Sequence, residues 1–179
     1  MNESSVIDFA VMALLAECNE SFVQNARFRF VHDISSSAST TQTFDIISSS
    51  NLESEWFPDF VSAEWKTPEP HGVGSLRIYR LKFMTILEEF LVWDRGHRLV
   101  FRLNECSLPI LHRFLENYII TPRSGGGSNL RWEVCYEPRP SLKFLHPFIR
   151  PFFARDFSKA ARQLQALLDR ESNKGNKEG

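Results

Sequence analysis

Apolar residues near the end of the chain recur at steps of three and four positions across residues 147–171. This spacing places them on one face of an α-helix. The residues on that face are Ile149, Phe153, Phe157, Ala160, Leu164 and Leu167 or Leu168. Burying about five large side chains contributes on the order of 10 kcal/mol, so the helix must cover another part of the chain.

From residue 27 to residue 137 the period is mostly two, which predicts β-strands joined by short turns. The strands are expected at residues 27–32, 61–65, 75–81, 84–93, 98–104, 113–121 and 130–137. Two short helices are expected after the first strand, and we expect Asn51 to cap the second of them, residues 52–57. Because the later strands follow one another with short links, they should form an antiparallel meander.

A long sheet with one apolar face, opposite a single long helix, is expected to curl around that helix. We therefore predict an α+β fold in which about seven antiparallel strands curl around the C-terminal helix. Residues 4–17 are apolar on nearly all sides and predict an additional N-terminal helix. Either the domain surface or a second copy of the chain must cover it, so a homodimer through this helix is one of two options. The predicted boundaries are an N-terminal extension at 1–20, a domain at 21–171 and a disordered tail at 172–179.

Length and charge exclude several classes of function. The 179 residues fit one domain, and a net charge of -1 without a run of like charge argues against a nucleic-acid partner. The apolar stretch at residues 6–16 is too short to span a bilayer, so we expect no stable membrane insertion. The three cysteines, Cys18, Cys106 and Cys135, are far apart and favour a reducing, cytoplasmic setting over a disulfide framework.

The chemistry-bearing residues predict neither a metal site nor a cofactor. The five histidines show no two-ligand spacing on one element, and no Cys-x-x-Cys pair is present. His32 or His71 could act as an acid or base, although a lone histidine is more often a packing or surface residue. Sixteen phenylalanines against three tyrosines suit a strongly apolar interior or a cavity lined with rings.

One hairpin brings opposite charges together. If the turn after residue 81 is centred between Lys82 and Phe83, Arg77 faces Glu88 across the two strands and Tyr79 lies on the same face. Two interpretations stay open. The pair either orients the polar group of a ligand inside a cavity or lies in solvent on the outer face of the sheet, because both faces of this hairpin carry apolar residues.

The element order and several short motifs resemble the polyketide cyclase/dehydrase branch of the START-like (SRPBCC) superfamily, which has the helix-grip fold. The resemblance covers about residues 28–170. The matching stretches are Trp56-Phe57-Pro58, Gly72-Val73-Gly74-Ser75-Leu76-Arg77, Glu88 leading to Trp93-Asp94, Arg98-Leu99-Val100-Phe101-Arg102, Tyr118-Ile119-Ile120-Thr121-Pro122, and the glycine loop with Leu130-Arg131-Trp132. One scaffold carries cyclases, lipid carriers, receptors and chaperone activators in this superfamily, so the resemblance implies a fold more specifically than an activity.

The resemblance implies a hydrophobic cavity between the sheet and the long helix, with Arg77 and Glu88 facing it. The expected ligand is small and apolar, lipid-like or polyketide-like. Residues expected to contact it are Phe28, Phe30, Arg77, Tyr79, Glu88, Phe90, Phe101, Tyr118, Trp132, Phe153 and Phe157. A cyclase or dehydrase would need an acid or base, for which the candidates are Glu88, Arg77, His32, Tyr79 and Tyr118. A third alternative is a protein-interaction module that needs no cavity.

Overall fold

From residue 28 onward, the elements follow the predicted order in the computed structural model, which describes residues 12–175: one strand, two short helices, six strands and a long helix. The strands are β1 (Ala13–Leu14), β2 (Phe28–Ser36), β3 (Phe60–Trp65), β4 (Leu76–Leu81), β5 (Met84–Asp94), β6 (Arg98–Cys106), β7 (Leu111–Pro122) and β8 (Ser128–Pro138). The α-helices are α1 (Phe22–Asn25), α2 (Thr40–Ser48), α3 (Glu53–Trp56) and α4 (His146–Gly175), and a 3-10 turn covers Pro140–Leu142. The predicted α+β helix-grip fold is confirmed.

One curled antiparallel sheet contains every strand, in the order β2-β8-β7-β6-β5-β4-β3, with β1 added beside β6. Helix α4 lies against the inner face of this sheet. It contributes the apolar stripe expected from its spacing, and the buried members of that stripe are Phe157, Ala160, Ala161, Leu164, Leu167 and Leu168. The two alanines allow the helix to approach the sheet closely, because they add little side-chain volume.

The caps of the two short helices differ from each other. Ser39 caps α2 in a capping box, in which its hydroxyl accepts from the Gln42 amide and the Gln42 side chain accepts from the Ser39 amide. The prediction that Asn51 caps the second helix is wrong. The residue before α3 is Leu52, whose side chain makes no capping hydrogen bond, so this helix depends on tertiary contacts.

The N-terminal helix predicted over residues 4–17 is wrong for residues 12–17, which are extended and include β1. Residues 1–11 carry the rest of that prediction and lie outside the described residues. The described part of the segment packs on its own domain, so the first of the two options holds for it. The homodimer remains a prediction.

The end of strand β6 explains why this segment is extended. β7 pairs with β6 only along residues 98–102, which leaves the backbone groups of the last residues of β6 open on that side. Ala13 pairs with Cys106 there, and the Leu15 amide donates to the Asn104 carbonyl oxygen at 2.9 Å. Pairing these open groups favours a strand over the helix that the local pattern predicts.

The N-terminal segment also covers a patch on the outer face of the sheet. Cys18 and Phe22 are buried there against Val100, Leu115 and Cys135, which point away from α4. The outer face is therefore apolar at its centre and is covered by the chain's own N-terminal part.

Removing residues 1–19 should lower the free energy of unfolding by about 2 to 4 kcal/mol. The shorter chain lacks the buried contacts of Leu15 and Cys18, and the end of β6 lacks its strand partner. Chemical denaturation of the full chain and of a chain beginning at Glu20 measures the difference. A chain beginning at Met12 is the matched control, since it keeps every docked residue that the structure describes. Equal stability of the chain beginning at Glu20 and the full chain would contradict the docking.

The tail predicted to begin at Ser172 is wrong for its first residues, because α4 continues to Gly175. Ser172 is buried, and its hydroxyl donates to the Ser37 carbonyl oxygen at 3.0 Å, which ties this turn to the end of β2.

Among the described residues, no helix combines the length and apolar character needed to cross a membrane.

Candidate functional site

A cavity of about 230 Å³ lies between the inner face of the sheet and helices α3 and α4. Its volume is slightly below the range of roughly 300 to 1,000 Å³ that is usual for small-molecule sites. Most of its wall is apolar, and the exposed residues Phe83 and Leu108 lie at its opening. The polar residues in the wall are Glu53, Asp59, Arg77, Tyr79, Glu88, Glu116, Tyr118 and Asp156.

Arg77 is the central cation of this site. Its Nε donates to Glu88 Oε2 at 2.6 Å, and its Nη1 donates to Glu53 Oε1 at 2.8 Å. The side chains of all three are at most 3% exposed, so the charges interact with little screening by water. Three rings surround the guanidinium, each with its centroid 5.3 Å away: Trp65, Tyr79 and Phe90.

The register between β4 and β5 places Arg77 beside Glu88. Arg77 pairs with Glu88 and Tyr79 pairs with Ile86, as the hairpin geometry predicts. Both charged residues point to the inner face of the sheet, so the structure supports the interpretation with the pair inside and contradicts the one with the pair in solvent. Glu53 reaches the same guanidinium from α3.

Burial changes the acidity of these groups. It raises the pKa of Glu53 to about 7 despite the opposing effect of Arg77, and it also raises the pKa of Glu88. Burial by itself lowers the pKa of the Arg77 guanidinium, but the carboxylates of Glu88 and Glu53 raise it by more. Arg77 therefore stays charged, while Glu53 changes its charge near neutral pH.

Glu116 is the third buried carboxyl of the cavity wall, and within residues 12–175 no cation lies beside it. The Tyr118 hydroxyl donates to its Oε2 at 2.5 Å, and the Trp132 indole donates to the same atom at 2.8 Å. Burial raises the pKa of Glu116 to about 8, and the negative charges of Glu88 and Glu53 act in the same direction. At neutral pH, Glu116 is thus mostly a neutral carboxylic acid.

The cavity wall contains only some of the residues predicted to contact a ligand. Those in the wall are Arg77, Tyr79, Glu88, Phe101, Tyr118, Phe153 and Phe157. Trp132 stands behind the wall, where its ring stacks on Tyr118 at 5.4 Å and its N–H reaches Glu116. Its predicted role in direct contact is therefore corrected to support of the residues in front of it.

The remaining three predicted contact residues belong to the packed core beside the cavity. Phe28 lies against His146, with ring centroids 3.8 Å apart, and Phe30 packs on Tyr136. Phe90 fills the space between the Arg77 guanidinium and the ring of Phe101. Their alternation correctly predicts the inner face, but neighbouring rings cover them.

His32 lies outside the cavity and is corrected as a candidate acid or base. Its half-buried ring is 5.6 Å from that of Trp132, and burial lowers its pKa. His71 stacks on Trp65 at 3.8 Å, also away from the cavity wall. Within residues 12–175 no group of three or more His, Cys, Asp or Glu side chains could hold a metal ion.

Four polar residues of the cavity wall were not predicted from the sequence, and two of them, Glu53 and Glu116, are buried. Glu116 shares the face of Phe114 and Tyr118 by simple alternation, so the pattern contained a signal for it. The sequence contains no such signal for Glu53, because α3 has only four residues and the contact of Glu53 with Arg77 depends on the tertiary fold.

A family of proteins described as "polyketide cyclase / dehydrase and lipid transport" matches residues 27–169 of the chain. Uncharacterized proteins of Mycobacterium tuberculosis (Rv2574) and Mycobacterium bovis (Mb2604) are each 28% identical over 134 residues. The match covers 72% of this chain and 80% of each relative.

Solved structures share the fold at low sequence identity. A START superfamily protein from Mycobacterium smegmatis superposes with a TM-score of 0.66 at 11% identity, covering 79% of this chain and 97% of the other. Ara h 8.0201 gives a TM-score of 0.62 at 12% identity, with the same coverage of 79% and 97%. The di-domain ARO/CYC StfQ from the steffimycin biosynthetic pathway gives 0.67 at 11% identity, covering 84% of this chain and 53% of StfQ. At these identities the likeness concerns the fold alone.

Proposed function

Because the chain belongs to the polyketide cyclase/dehydrase and lipid transport family, we propose that it binds a small, largely apolar ligand in the cavity between the sheet and α4. The observation that carries the proposal is the cavity itself. Its wall is mostly apolar, and a few buried polar groups, Arg77, Glu88, Glu116 and Tyr118, stand at fixed positions in it. Sites of this composition gain affinity from apolar burial and orientation from the polar groups.

The cavity also favours one of the alternative functions over another. An interaction module needs no internal space, so the 230 Å³ void favours a ligand-binding function over it. A shared fold with an internal cavity does not by itself imply a reaction.

Filling the cavity from within should weaken binding strongly. Leu103 lies in the cavity wall on β6 and is buried, so the larger ring of Leu103→Trp occupies the space that a ligand needs. We expect the neutral fluorophore N-phenyl-1-naphthylamine to bind the wild-type chain and to bind the variant at least tenfold more weakly. Fluorescence titration measures both affinities.

Val61→Trp is the matched control, because Val61 is 57% exposed and lies outside the cavity wall. This variant should bind the fluorophore like the wild type. Equal loss of binding in both variants, or no binding to any of the three proteins, would contradict the proposed site.

An enzyme of the cyclase or dehydrase type is the second candidate. Glu116 favours it, because an acid with a pKa of about 8 is well suited to donate and accept protons near neutral pH. Mass spectrometry of a ligand that co-purifies with the wild type but not with Leu103→Trp, before and after incubation, separates turnover from simple carriage.

The cysteines support the proposed reducing, cytoplasmic setting. Cys18, Cys106 and Cys135 are all free thiols, and each is buried. Burial raises the pKa of each thiol, so the reactive thiolate form is disfavoured.

A further inference from the structure

The two oxygens of the Glu116 carboxyl have different surroundings. Oε2 accepts both hydrogen bonds, from the Tyr118 hydroxyl and from the Trp132 indole. Oε1 has no hydrogen-bond partner among residues 12–175, and Glu116 lines the cavity. This is the pattern of a carboxylic acid whose carbonyl oxygen is satisfied and whose hydroxyl oxygen is free.

The charges around the cavity favour the acid form. Arg77 is already bonded to Glu88 and Glu53, and no lysine, arginine or histidine in the described chain contacts the Glu116 carboxyl. An ionised Glu116 would add a further buried negative charge to the two carboxylates that share one guanidinium. Buried carboxyls without a cation take up a proton instead.

We propose that Glu116 acts as a neutral carboxylic acid and donates an O–H hydrogen bond from Oε1 to an uncharged acceptor oxygen of the ligand, such as a ketone carbonyl. The inference rests on the proposed function and specifies the ligand class: an apolar molecule with a neutral hydrogen-bond acceptor. Glu116 is then a residue that determines specificity. A ligand with an acceptor oxygen is preferred, because a ligand of the same shape without that oxygen leaves the buried hydroxyl of Glu116 unpaired.

Other ionisable groups face the same cavity and must be included in any pH experiment. They lie on α3 and the loop after it, on β4, β5 and β7, and on α4: Glu53, Asp59, Arg77, Tyr79, Glu88, Tyr118 and Asp156. Glu53 changes its charge near neutral pH, so a pH effect alone does not identify Glu116. The test therefore compares variants at position 116 as well as pH values.

Three probes of one shape separate the possible ligand chemistries: 2-acetylnaphthalene carries a carbonyl, 2-ethylnaphthalene lacks it, and 1-(2-naphthyl)ethylamine carries a cation. Their affinities follow from displacement of N-phenyl-1-naphthylamine. For the wild type at pH 6 we expect the ketone to bind about three- to tenfold more tightly than the hydrocarbon. From pH 6 to pH 9 the ketone should weaken about tenfold, because the acid with a pKa of about 8 loses its proton, whereas the hydrocarbon should not weaken.

Two variants assign the effect to Glu116. Glu116→Gln keeps a donor in its amide N–H and cannot ionise, so it should keep the preference for the ketone at both pH values. Glu116→Met has a similar length and no donor, so the preference should disappear at both. Retention of the preference in Glu116→Met would overturn the inference.

The remaining outcomes distinguish this inference from the proposed function. If all three probes bind with equal affinity at both pH values, the cavity binds apolar molecules but Glu116 does not select them, and only the inference fails. Tighter binding of the amine than of the ketone, lost in Glu116→Gln, would show an ionised Glu116 and would also overturn it. If no probe binds, the proposed function fails and the inference fails with it.

Discussion

Replacing Arg77 with methionine is expected to lower the free energy of unfolding by about 3 to 5 kcal/mol at pH 8, the usual cost of removing one partner of a buried pair. The variant leaves Glu53 and Glu88 buried without their shared cation. It also removes the guanidinium from among the rings of Trp65, Tyr79 and Phe90. Urea denaturation of the two proteins measures the difference.

The loss should be smaller at pH 5 than at pH 8. Without Arg77, both carboxyls have their pKa raised further by burial, so the folded variant holds protons that the unfolded chain releases as the pH rises. Stability therefore decreases with rising pH in the variant by more than in the wild type. Adding Glu53→Gln and Glu88→Gln to Arg77→Met should recover most of the lost free energy of unfolding, because no uncompensated buried charge then remains.

Arg95→Met is the matched control, because Arg95 pairs with Asp45 on the surface, where both side chains are about half exposed or more. Water screens such pairs, so this variant should be nearly as stable as the wild type. A loss below about 1 kcal/mol for Arg77→Met would mean that the buried pair contributes no more than a surface pair.

Glu116→Gln is expected to stabilise the protein, and the gain should grow with pH. The carboxyl has a folded pKa of about 8 against an ordinary value of 4.5, so the folded chain holds a proton that the unfolded chain loses above pH 4.5. In the wild type, the contribution of Glu116 is therefore full below pH 4.5 and is lost as the pH rises toward 8. At about 1.4 kcal/mol for each pKa unit, the full difference is on the order of 5 kcal/mol.

The glutamine keeps the two acceptor bonds from Tyr118 and Trp132 at its amide oxygen and does not titrate. Stability curves at pH 5, 6.5 and 8 should thus separate progressively from those of the wild type. Part of the dependence should remain in the variant, because Glu53 titrates nearby. Glu69→Gln, in an exposed loop, controls for the loss of one negative charge and should follow the wild-type curve. A constant difference at the three pH values would show that Glu116 does not titrate in this range.

Local patterns predicted much of the site because its first pair lies within one hairpin. Arg77 and Glu88 are 11 positions apart, and a tight turn between their strands fixes which residues face each other. Alternation then assigns Tyr79 to the same face. It could not decide whether that face points inward, because both faces of the hairpin carry apolar residues and only the position of α4 distinguishes them.

The N-terminal segment shows the opposite case. Its residues favour a helix by local pattern, yet residues 13 and 14 pair with the far end of β6, about 90 positions along the chain. That pairing exists because β7 leaves β6 after residue 102, a consequence of how the sheet curls. Tertiary hydrogen bonds to open backbone groups outweigh a local preference of a few tenths of a kcal/mol per residue.

By itself, the sequence determined the order of the elements from β2 to α4, the pairing of successive strands from β3 to β8 and the side of α4 that is buried, because periodicity and short turns act over a few residues. Only the tertiary structure decided that Glu53 joins Arg77 from α3 and that no cation of the described chain reaches Glu116. It also decided that Phe28, Phe30 and Phe90 pack in the core while Phe101 and Phe157 line the void. Whether an inward side chain touches a cavity or another ring depends on the gap left between the sheet and α4. That gap is set by the volumes of side chains distant in sequence, so no local pattern contains it.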